Sequence, residues 1–250
     1  MLSKNTVKFI KSLHQKKYRN ASQHFFVEGE KSVLEVLNSN FFTETLFATA
    51  EFLEKHSEFV SGQDLDIQEV TQKQLESMGH YQSNDMALAL VKMKENLPIK
   101  PEKGEWILAL DDVRDPGNLG TIIRIADWYG LRKLLFSTQT ADFYNPKVIQ
   151  ASMGSFCRVD FSYGDLESWL DAYEGPVYGA FMDGENVHGF QEIHPGVLVM
   201  GNESNGVSKA IEKRVSQKLA IPSFGQAESL NVAIATAILC DNLKRLERHA

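Results

Sequence analysis

Cysteine is nearly absent: Cys157 and Cys240 are the only two in 250 residues. No CxxC pair exists, which excludes a zinc ribbon and a thioredoxin-type redox site. Two cysteines make no disulfide framework, which fits a reducing compartment. Long apolar runs are missing too. The most apolar stretch, Val232 to Cys240, falls far short of the roughly 20 residues a membrane span needs. The N-terminus lacks the apolar core of a secretory signal. A basic start without acids also suits an organellar transit peptide. This one is rich in Lys rather than Arg and runs directly into strand-like Phe25-Phe26-Val27. The expectation is a cytoplasmic protein with no membrane segment.

Positive charge is in short supply overall, with Lys+Arg 26 against Asp+Glu 33 and a net charge of −7. That balance argues against a nucleic-acid partner, because phosphate contact is driven by Lys and Arg. Its distribution argues the other way. Residues 1–20 hold Lys4, Lys8, Lys11, Lys16, Lys17 and Arg19 and no acid, so this arm carries +6 and the remainder −13. A solvated helix face is the plain reading of such lysines; six cations without one acid favour RNA contact. Tyr18, Phe25 and Phe26 are candidates for stacking on unpaired bases. At least one of the two phenylalanines is expected in a core, because strand residues alternate faces.

The polar stretch from Lys92 to Gly104, with two prolines, reads as a linker. It divides the chain into residues 1–95, a linker 96–104 and residues 105–250. The first part alternates helix (Asn5–Gln15, Lys31–Asn38, Glu51–His56, Gln72–Met78) with strand (Phe25–Val27, Thr45–Ala48, Ile67–Val70, Met86–Val91). The second has strands at Trp106–Leu110, Lys133–Phe136, Arg158–Phe161, Val177–Phe181, Val197–Met200 and Leu219–Ile221. Its helices are placed at Leu119–Tyr129, Pro146–Ala151, Leu166–Tyr173, Lys209–Val215 and Leu230 to about Arg248. Short apolar strands alternating with helices imply an α/β fold with a mostly parallel sheet covered on both faces. Ligands in such sheets sit beyond the carboxyl ends of the strands.

Three polar loops lie at such ends. The first runs from Asp111 to Gly120 and opens the helix that carries Arg124. Asn118 stands where an N-cap falls, and free N–H groups at a helix start can hold an anion. A capping Asn and a surface Arg124 paired with Asp115 or Asp127 explain the same residues. The second loop, Gly201-Asn-Glu-Ser-Asn-Gly-Val-Ser208, nearly fits the phosphate-binding pattern GxxxxGK[ST], but Val207 replaces the lysine that meets the β/γ-phosphates. What remains is a tight turn bearing one acid, Glu203, with Ser208 as the next N-cap. The third, Ile221 to Asn231, opens a helix that is apolar nearly all round, as a core or subunit-interface helix is. Ser229 is its natural N-cap; Asn231 is a poor helix-interior residue and suits a side chain aimed at a partner.

These loops resemble the three motifs of the SpoU (TrmH-like) family of RNA 2′-O-ribose methyltransferases. Asp115-Pro-Gly-Asn-Leu-Gly-Thr-Ile-Ile-Arg124 is similar to the first, and Val199-Met-Gly-Asn-Glu203 with Gly206 to the second. Ile221-Pro222 with Ser229-Leu-Asn-Val-Ala233 is similar to the third. Asn145 to Ser155 is also similar to the family. Ser12-Leu-His-Gln-Lys-Lys-Tyr-Arg19 and Phe26-Val-Glu-Gly-Glu-Lys31 resemble the substrate-binding domain many members carry. The resemblance implies a SPOUT fold with a deep trefoil knot, a ribosomal-protein-like N-terminal domain and a homodimer. It implies S-adenosylmethionine bound at Met200, Gly201, Ile221 and Leu230, and polar site residues Asn118, Arg124, Glu203, Ser229 and Asn231. RNA contacts are then expected from Lys11, Lys16, Lys17, Arg19 and Lys31.

The implied reaction methylates a ribose 2′-hydroxyl of structured RNA, ribosomal RNA ahead of transfer RNA, because the extra domain looks like that of ribosomal-RNA members. A guanidinium stays protonated in proteins, so Arg124 is read as a grip on phosphate and on the developing alkoxide. Glu203 would orient Arg124 or take the proton through water. Asn118, Ser229 and Asn231 would position ribose and loops. Two rivals stand beside this reading, a catalytically silent RNA-binding or ribosome-assembly protein and a phosphate-loop enzyme. A metal site is not expected, since His188 and His194 have no Cys or second acid at ligand spacing.

Overall fold

The computed structural model describes residues 2–62, 65–80, 84 and 86–247. The chain forms two compact units. One comprises Met1–Glu95 with Asp142–Cys157, the other Asn96–Ala141 with Arg158–Ala250.

In chain order the first unit holds α1 (Lys4–Ser12), α2 (Lys16–Ser22), β1 (His24–Glu28), α3 (Glu30–Leu37) and β2 (Thr43–Ala48). Then follow α4 (Ala50–Lys55), α5 (Ser57–Ser61), β3 (Asp66–Glu69), α6 (Gln72–Met78) and β4 (Ala87–Lys92). The sheet order is β1-β4-β2-β3, with β4 antiparallel to both its neighbours and β3 parallel to β2. The helix expected over Asn5–Gln15 closes at Ser12, and a second helix that sequence reading did not place, α2, follows at Lys16 and ends where Gln23 turns into the left-handed region at φ 58°. Ile10 and Leu13 pack under the sheet with Phe26, Phe47, Leu75, Met78 and Leu88.

Both faces of β1 are covered, so Phe25 and Phe26 are both core and neither is available for stacking on a base. Phe26 faces the α1 side against His14. Phe25 faces Phe41, Tyr144 and Phe156. Tyr144 and Phe156 lie on the segment 142–157, which sequence reading assigned to the second part of the chain. The Tyr144 hydroxyl accepts from Lys94 N at 2.8 Å, and burial pushes its ionisation above the usual phenol range. Alternation can predict which residues share a face but not what covers it.

The second unit continues with β5 (Ile107–Leu110), α7 (Pro116–Trp128) and β6 (Lys133–Ser137). The helix α8 (Pro146–Ser152) belongs to the first unit. Then come β7 (Asp160–Gly164), α9 (Leu166–Asp171), β8 (Val177–Asn186), β9 (Val197–Met200), α10 (Lys209–Glu212), β10 (Gln217–Ala220) and α11 (Val232–Leu246). Arg248, where the last helix was expected to end, lies outside the described residues. The sheet order is β10-β8-β9-β5-β6-β7, and every pairing is parallel. The central strands β5 and β9 are buried throughout, the mark of a parallel sheet with helices on both sides. Ile107, Ala109, Val197 and Val199 form one core with Leu166, Leu170 and Ile211 of α9 and α10. Leu108, Leu110, Leu198 and Met200 alternate to the other face, and α7 packs with α11.

The expected linker is tied down at several points. Asn96 exchanges hydrogen bonds with the Tyr163 backbone, Trp169 Nε1 donates to Ile99 O, and Lys133 Nζ donates to Lys100 O. No helix among the described residues is long and apolar enough to cross a membrane.

Candidate active site

The three polar loops do converge beyond the carboxyl ends of β5, β9 and β10. Helix α7 starts three residues earlier than expected. Asp115, not Asn118, is its N-cap: its carboxylate accepts Asn118 N at 2.8 Å and Pro116 takes the first turn, where a missing N–H costs nothing. A carboxylate already stands at this helix start, so it is no open anion site. Asn118 lies one turn in and its side chain is free for other work.

That work is a chain of hydrogen bonds. Asn118 Nδ2 donates to Glu203 Oε1 at 3.0 Å, and Asn118 Oδ1 accepts Asn231 Nδ2 at 2.9 Å. Glu203 also accepts Arg114 N and Asp115 N at 3.3 and 3.2 Å. Its two oxygens therefore hold the first loop against the second. The Asn231 side chain does double duty, because Oδ1 also caps α11 through Ala233 N and Ile234 N at 2.9 and 3.4 Å. The last helix begins at Val232, and Ser229 is not its cap. Ser229 is exposed and makes no hydrogen bond among the described residues.

Five residues outside the expected set, Asp111, Asp112, Arg114, Asn202 and Ser208, complete the joint. Asp111 is buried, and its carboxylate accepts Ser208 N at 2.7 Å. Ser208 holds the N-cap position of α10, but its side chain makes no cap bond. Asp112 sits at φ 63°, a conformation that Asp and Asn tolerate better than most residues. Its carbonyl accepts Asn202 Nδ2 at 2.7 Å, and its carboxylate holds the Arg114 guanidinium through two bonds of 2.7 and 2.9 Å. The acid-rich run Asp111-Asp112-Val-Arg114-Asp115 was the available signal, masked because each acid also looked like a surface residue.

The second loop is closed on itself. Asn202 and Gly206 exchange backbone hydrogen bonds of 2.9 Å each way, and Asn202 Oδ1 accepts Ser204 N and Asn205 N. The N–H groups of Asn202, Ser204, Asn205 and Gly206 are thus engaged within the loop, which speaks against the phosphate-loop reading on grounds independent of the missing lysine. Gly206 needs its φ of 68°, and a Cβ on Gly201 would lie 2.1 Å from the Gly206 carbonyl carbon. Gly201 lets two backbone strands approach, and so makes one wall of a cavity.

That cavity is about 770 Å³, within the range of small-molecule sites. Met200, Gly201, Ile221, Leu230 and Val232 line it on the apolar side, and Glu203 and Ser229 stand at its edge. All four residues expected to hold a cofactor line one space. Its walls are mostly apolar, which suits a small molecule with a substantial apolar part. Among the described residues no cluster of His, Cys, Asp and Glu could hold a metal ion.

Residues 105–241 match the SpoU rRNA Methylase family, and residues 4–89 match the MRM3-like substrate binding domain. The chain belongs to the SpoU rRNA methylase family. It is 32% identical over 246 residues, 95% of each chain, to the Bacillus subtilis 23S rRNA (guanosine(2553)-2′-O)-methyltransferase RlmP. A putative RNA methyltransferase of the TrmH family from Porphyromonas gingivalis has the same fold at TM-score 0.86 and 36% identity, covering 98% of this chain and 99% of the other. An AdoMet-bound rRNA methyltransferase from Sinorhizobium meliloti superposes at TM-score 0.87 and 30% identity, covering 98% and 96%. The α/β architecture with its parallel sheet is thus that of known SPOUT methyltransferases.

Within this SpoU unit Arg124 is exposed on α7 and has no ion pair or hydrogen bond among the described residues. It pairs with neither Asp115 nor Asp127; Asp127 holds Arg158 at 2.8 Å instead. Glu203 does not orient Arg124 here, since the donors it meets all come from the first loop. In the N-terminal unit, Lys11, Lys16, Lys17 and Lys31 are exposed and meet no carboxylate among the described residues. Arg19 is different. It is 1% exposed, donates to Leu13 O at 2.7 Å and His14 O at 3.1 Å, and forms an ion pair with Asp142. It closes the corner between α1 and α2, and cannot reach an RNA phosphate. One charged residue in a run of six looks like its neighbours until the fold buries it.

Proposed function

We propose that this chain methylates a ribose 2′-hydroxyl of RNA with S-adenosylmethionine as donor, and that ribosomal RNA is the substrate ahead of transfer RNA. The observation that carries the reading is the position of Gly201 and Glu203 on one turn. Gly201 walls the apolar cavity, and two residues later Glu203 clamps the helix that carries Arg124. The activities of the Bacillus subtilis relative and the bound cofactor of the Sinorhizobium meliloti structure support it.

The cofactor would be held by Met200, Gly201, Ile221 and Leu230, and it supplies an already activated methyl group. The protein's share is then alignment and charge placement. Arg124 presents an unpaired guanidinium to solvent, suited to gripping a phosphate with two parallel bonds and to stabilising a developing alkoxide. It does so as a cation, because a guanidinium does not give up its proton. Glu203, Asn118 and Asn231 fix the loops so that cavity and arginine keep one spacing. Ser229, unbonded at the cavity edge, is free to meet a ribose or the cofactor.

The unit works as a homodimer in this reading. Trp128 on α7 and Ile234 on α11 are 83% and 54% exposed on helices that pack together, an apolar surface suited to a second copy. A trefoil knot through the three loops and a cytoplasmic setting belong to the same proposal. The rival, a silent RNA-binding protein, has the same surface but no need of the cavity.

The test is transfer of labelled methyl from S-adenosylmethionine to ribosomal RNA lacking 2′-O-methyl groups, followed by mapping of alkali-resistant positions. Label in one ribose position of ribosomal RNA is the expected result. Cofactor binding by calorimetry without transfer to ribosomal or transfer RNA would overturn the reading.

A further inference from the structure

The consecutive helices α1 and α2 leave an opening of about 510 Å³ that plays no part in the core, lined among others by Lys8, Phe9, Lys11, Gln15 and Tyr18. We infer that this groove binds an unpaired nucleobase of the RNA, its ring held by Phe9 and Tyr18 and its flanking phosphates met by Lys8, Lys11 and Lys17. The inference rests on the RNA reading above and adds to it a site for a single base, outside the methyl-transfer centre.

Helical spacing builds the groove. Ile10 and Leu13 turn into the core, while Asn5, Lys8, Phe9 and Ser12 fall three and four apart along the other face. Phe9 and Tyr18 are left 36% and 41% exposed, although the same sheet buries Phe25 and Phe26 completely or nearly so. Two partly exposed rings beside one opening leave apolar surface that the fold does not cover. Phe9 meets only the edge of His24, at 6.1 Å between centroids. The Lys17 ammonium lies over the Tyr18 ring at 4.6 Å, and Tyr18 itself is 41% exposed.

Charge and hydrogen-bond capacity select the ligand. Lys8, Lys11 and Lys17 meet no carboxylate among the described residues; the nearby Glu44 is paired with His24 at 2.9 Å. The side-chain amides of Asn5 and Gln15 make no hydrogen bond among the described residues, so they can read the edge of a base. A planar ring with polar edges, flanked by anions, uses all three features at once. An acidic peptide would use the lysines alone.

The experiment uses the full chain and an RNA decamer of uridines with one central 2-aminopurine, beside the same decamer with an abasic central ribose. Binding should quench 2-aminopurine fluorescence, and the abasic decamer should bind more weakly. Tyr18→Leu and Phe9→Leu should each weaken binding of the 2-aminopurine decamer by about 5- to 50-fold and remove the quenching. Tyr18→Trp should preserve both. Lys8→Gln with Lys11→Gln should lower the slope of log K against log salt by about 1.4, at about 0.7 for each phosphate no longer neutralised. Equal affinity for the abasic decamer, or for Tyr18→Leu and the parent, overturns the groove. So does a polyglutamate decamer that competes as well as the RNA. Methyl transfer measured on the same preparations separates the two readings. Transfer without base-dependent binding overturns the groove alone; base-dependent binding with no transfer to any RNA overturns the methyltransferase and leaves the groove.

Discussion

Asn231 donates its side-chain amide to Asn118 Oδ1 at 2.9 Å, across 113 residues of chain, while its own Oδ1 caps the helix it begins. Through Asn118 the contact reaches Glu203, so the first, second and third loops share one hydrogen-bond chain. Both asparagines use the amide in both senses, donating through Nδ2 on one side and accepting through Oδ1 on the other.

Replacing Asn231 by Asp separates capping from linkage. A carboxylate caps a helix as well as an amide does, so the melting temperature should stay within a few degrees. The linkage breaks, since turning the Asn118 amide to meet a new carboxylate points its oxygen at Glu203. Methyl transfer should fall by about 10-fold or more at unchanged melting temperature. Asn231→Ala should lose the cap as well, at about 1 kcal/mol, seen as a lower unfolding midpoint in urea.

Arg124→Lys keeps the charge but not the fork. Because Arg124 has no partner among the described residues, stability should change by less than about 0.5 kcal/mol. Loss of paired charge-assisted bonds to phosphate, each worth about 1.5–3 kcal/mol, should lower kcat/KM for RNA by about 10- to 100-fold. Near-normal turnover would remove the bidentate grip from the mechanism.

Gly201→Ala should act on the cavity wall. The added methyl would stand 2.1 and 2.2 Å from backbone atoms of Gly206 and Val207, so the turn has to open. Calorimetry with S-adenosylmethionine should show affinity reduced about 10-fold or more, while the N-terminal unit retains its RNA binding. Full cofactor affinity would place the ligand elsewhere.

Arg19→Met leaves the Asp142 carboxylate without its partner and two backbone carbonyls without donors. Breaking a buried pair from one side costs about 3–5 kcal/mol, which should appear as an early unfolding step in urea. At low temperature, where the variant is folded, RNA affinity should stay within about twofold of the parent. A large loss of affinity in folded protein would restore Arg19 to the RNA surface.

His14 gives a pH dependence. Burial lowers its pKa from 6.5, with the neighbouring His80, Arg19 and Lys11 adding to the shift and the hydrogen bond to Met78 O opposing it. The unfolded chain therefore binds the proton more readily than the folded one. The stability from neutral His14 is present above pH 6.5 and is lost as pH falls through that value toward the folded pKa. Urea midpoints should fall between about pH 7.5 and about pH 5.5, and fall more for the parent than for His14→Gln. Equal falls would assign the pH response to other groups.

Much of this protein could be read from its residues. Strands such as Ile107–Leu110 and Val197–Met200 are short apolar runs with no polar alternation, which is what burial on both faces of a parallel sheet imposes. Gly201, Glu203, Asn118 and Asn231 stood out because each is locally anomalous: a tight turn, a lone acid, two amides at a helix start. Local sequence sets those features because they depend on a residue and its immediate neighbours.

Other assignments waited for the tertiary structure. Arg19 has the same local surroundings as Lys16 and Lys17, yet it is buried by Asp142, 123 residues away. Phe25 is core because Tyr144 and Phe156 return to cover β1. Asp115 rather than Asn118 caps α7, which leaves Asn118 free to join Glu203 to Asn231. These outcomes are contacts between distant segments, and no window of sequence contains both partners. The sign of a residue's charge is written locally; whether that charge meets solvent, a carboxylate or RNA is settled only when the chain closes around it.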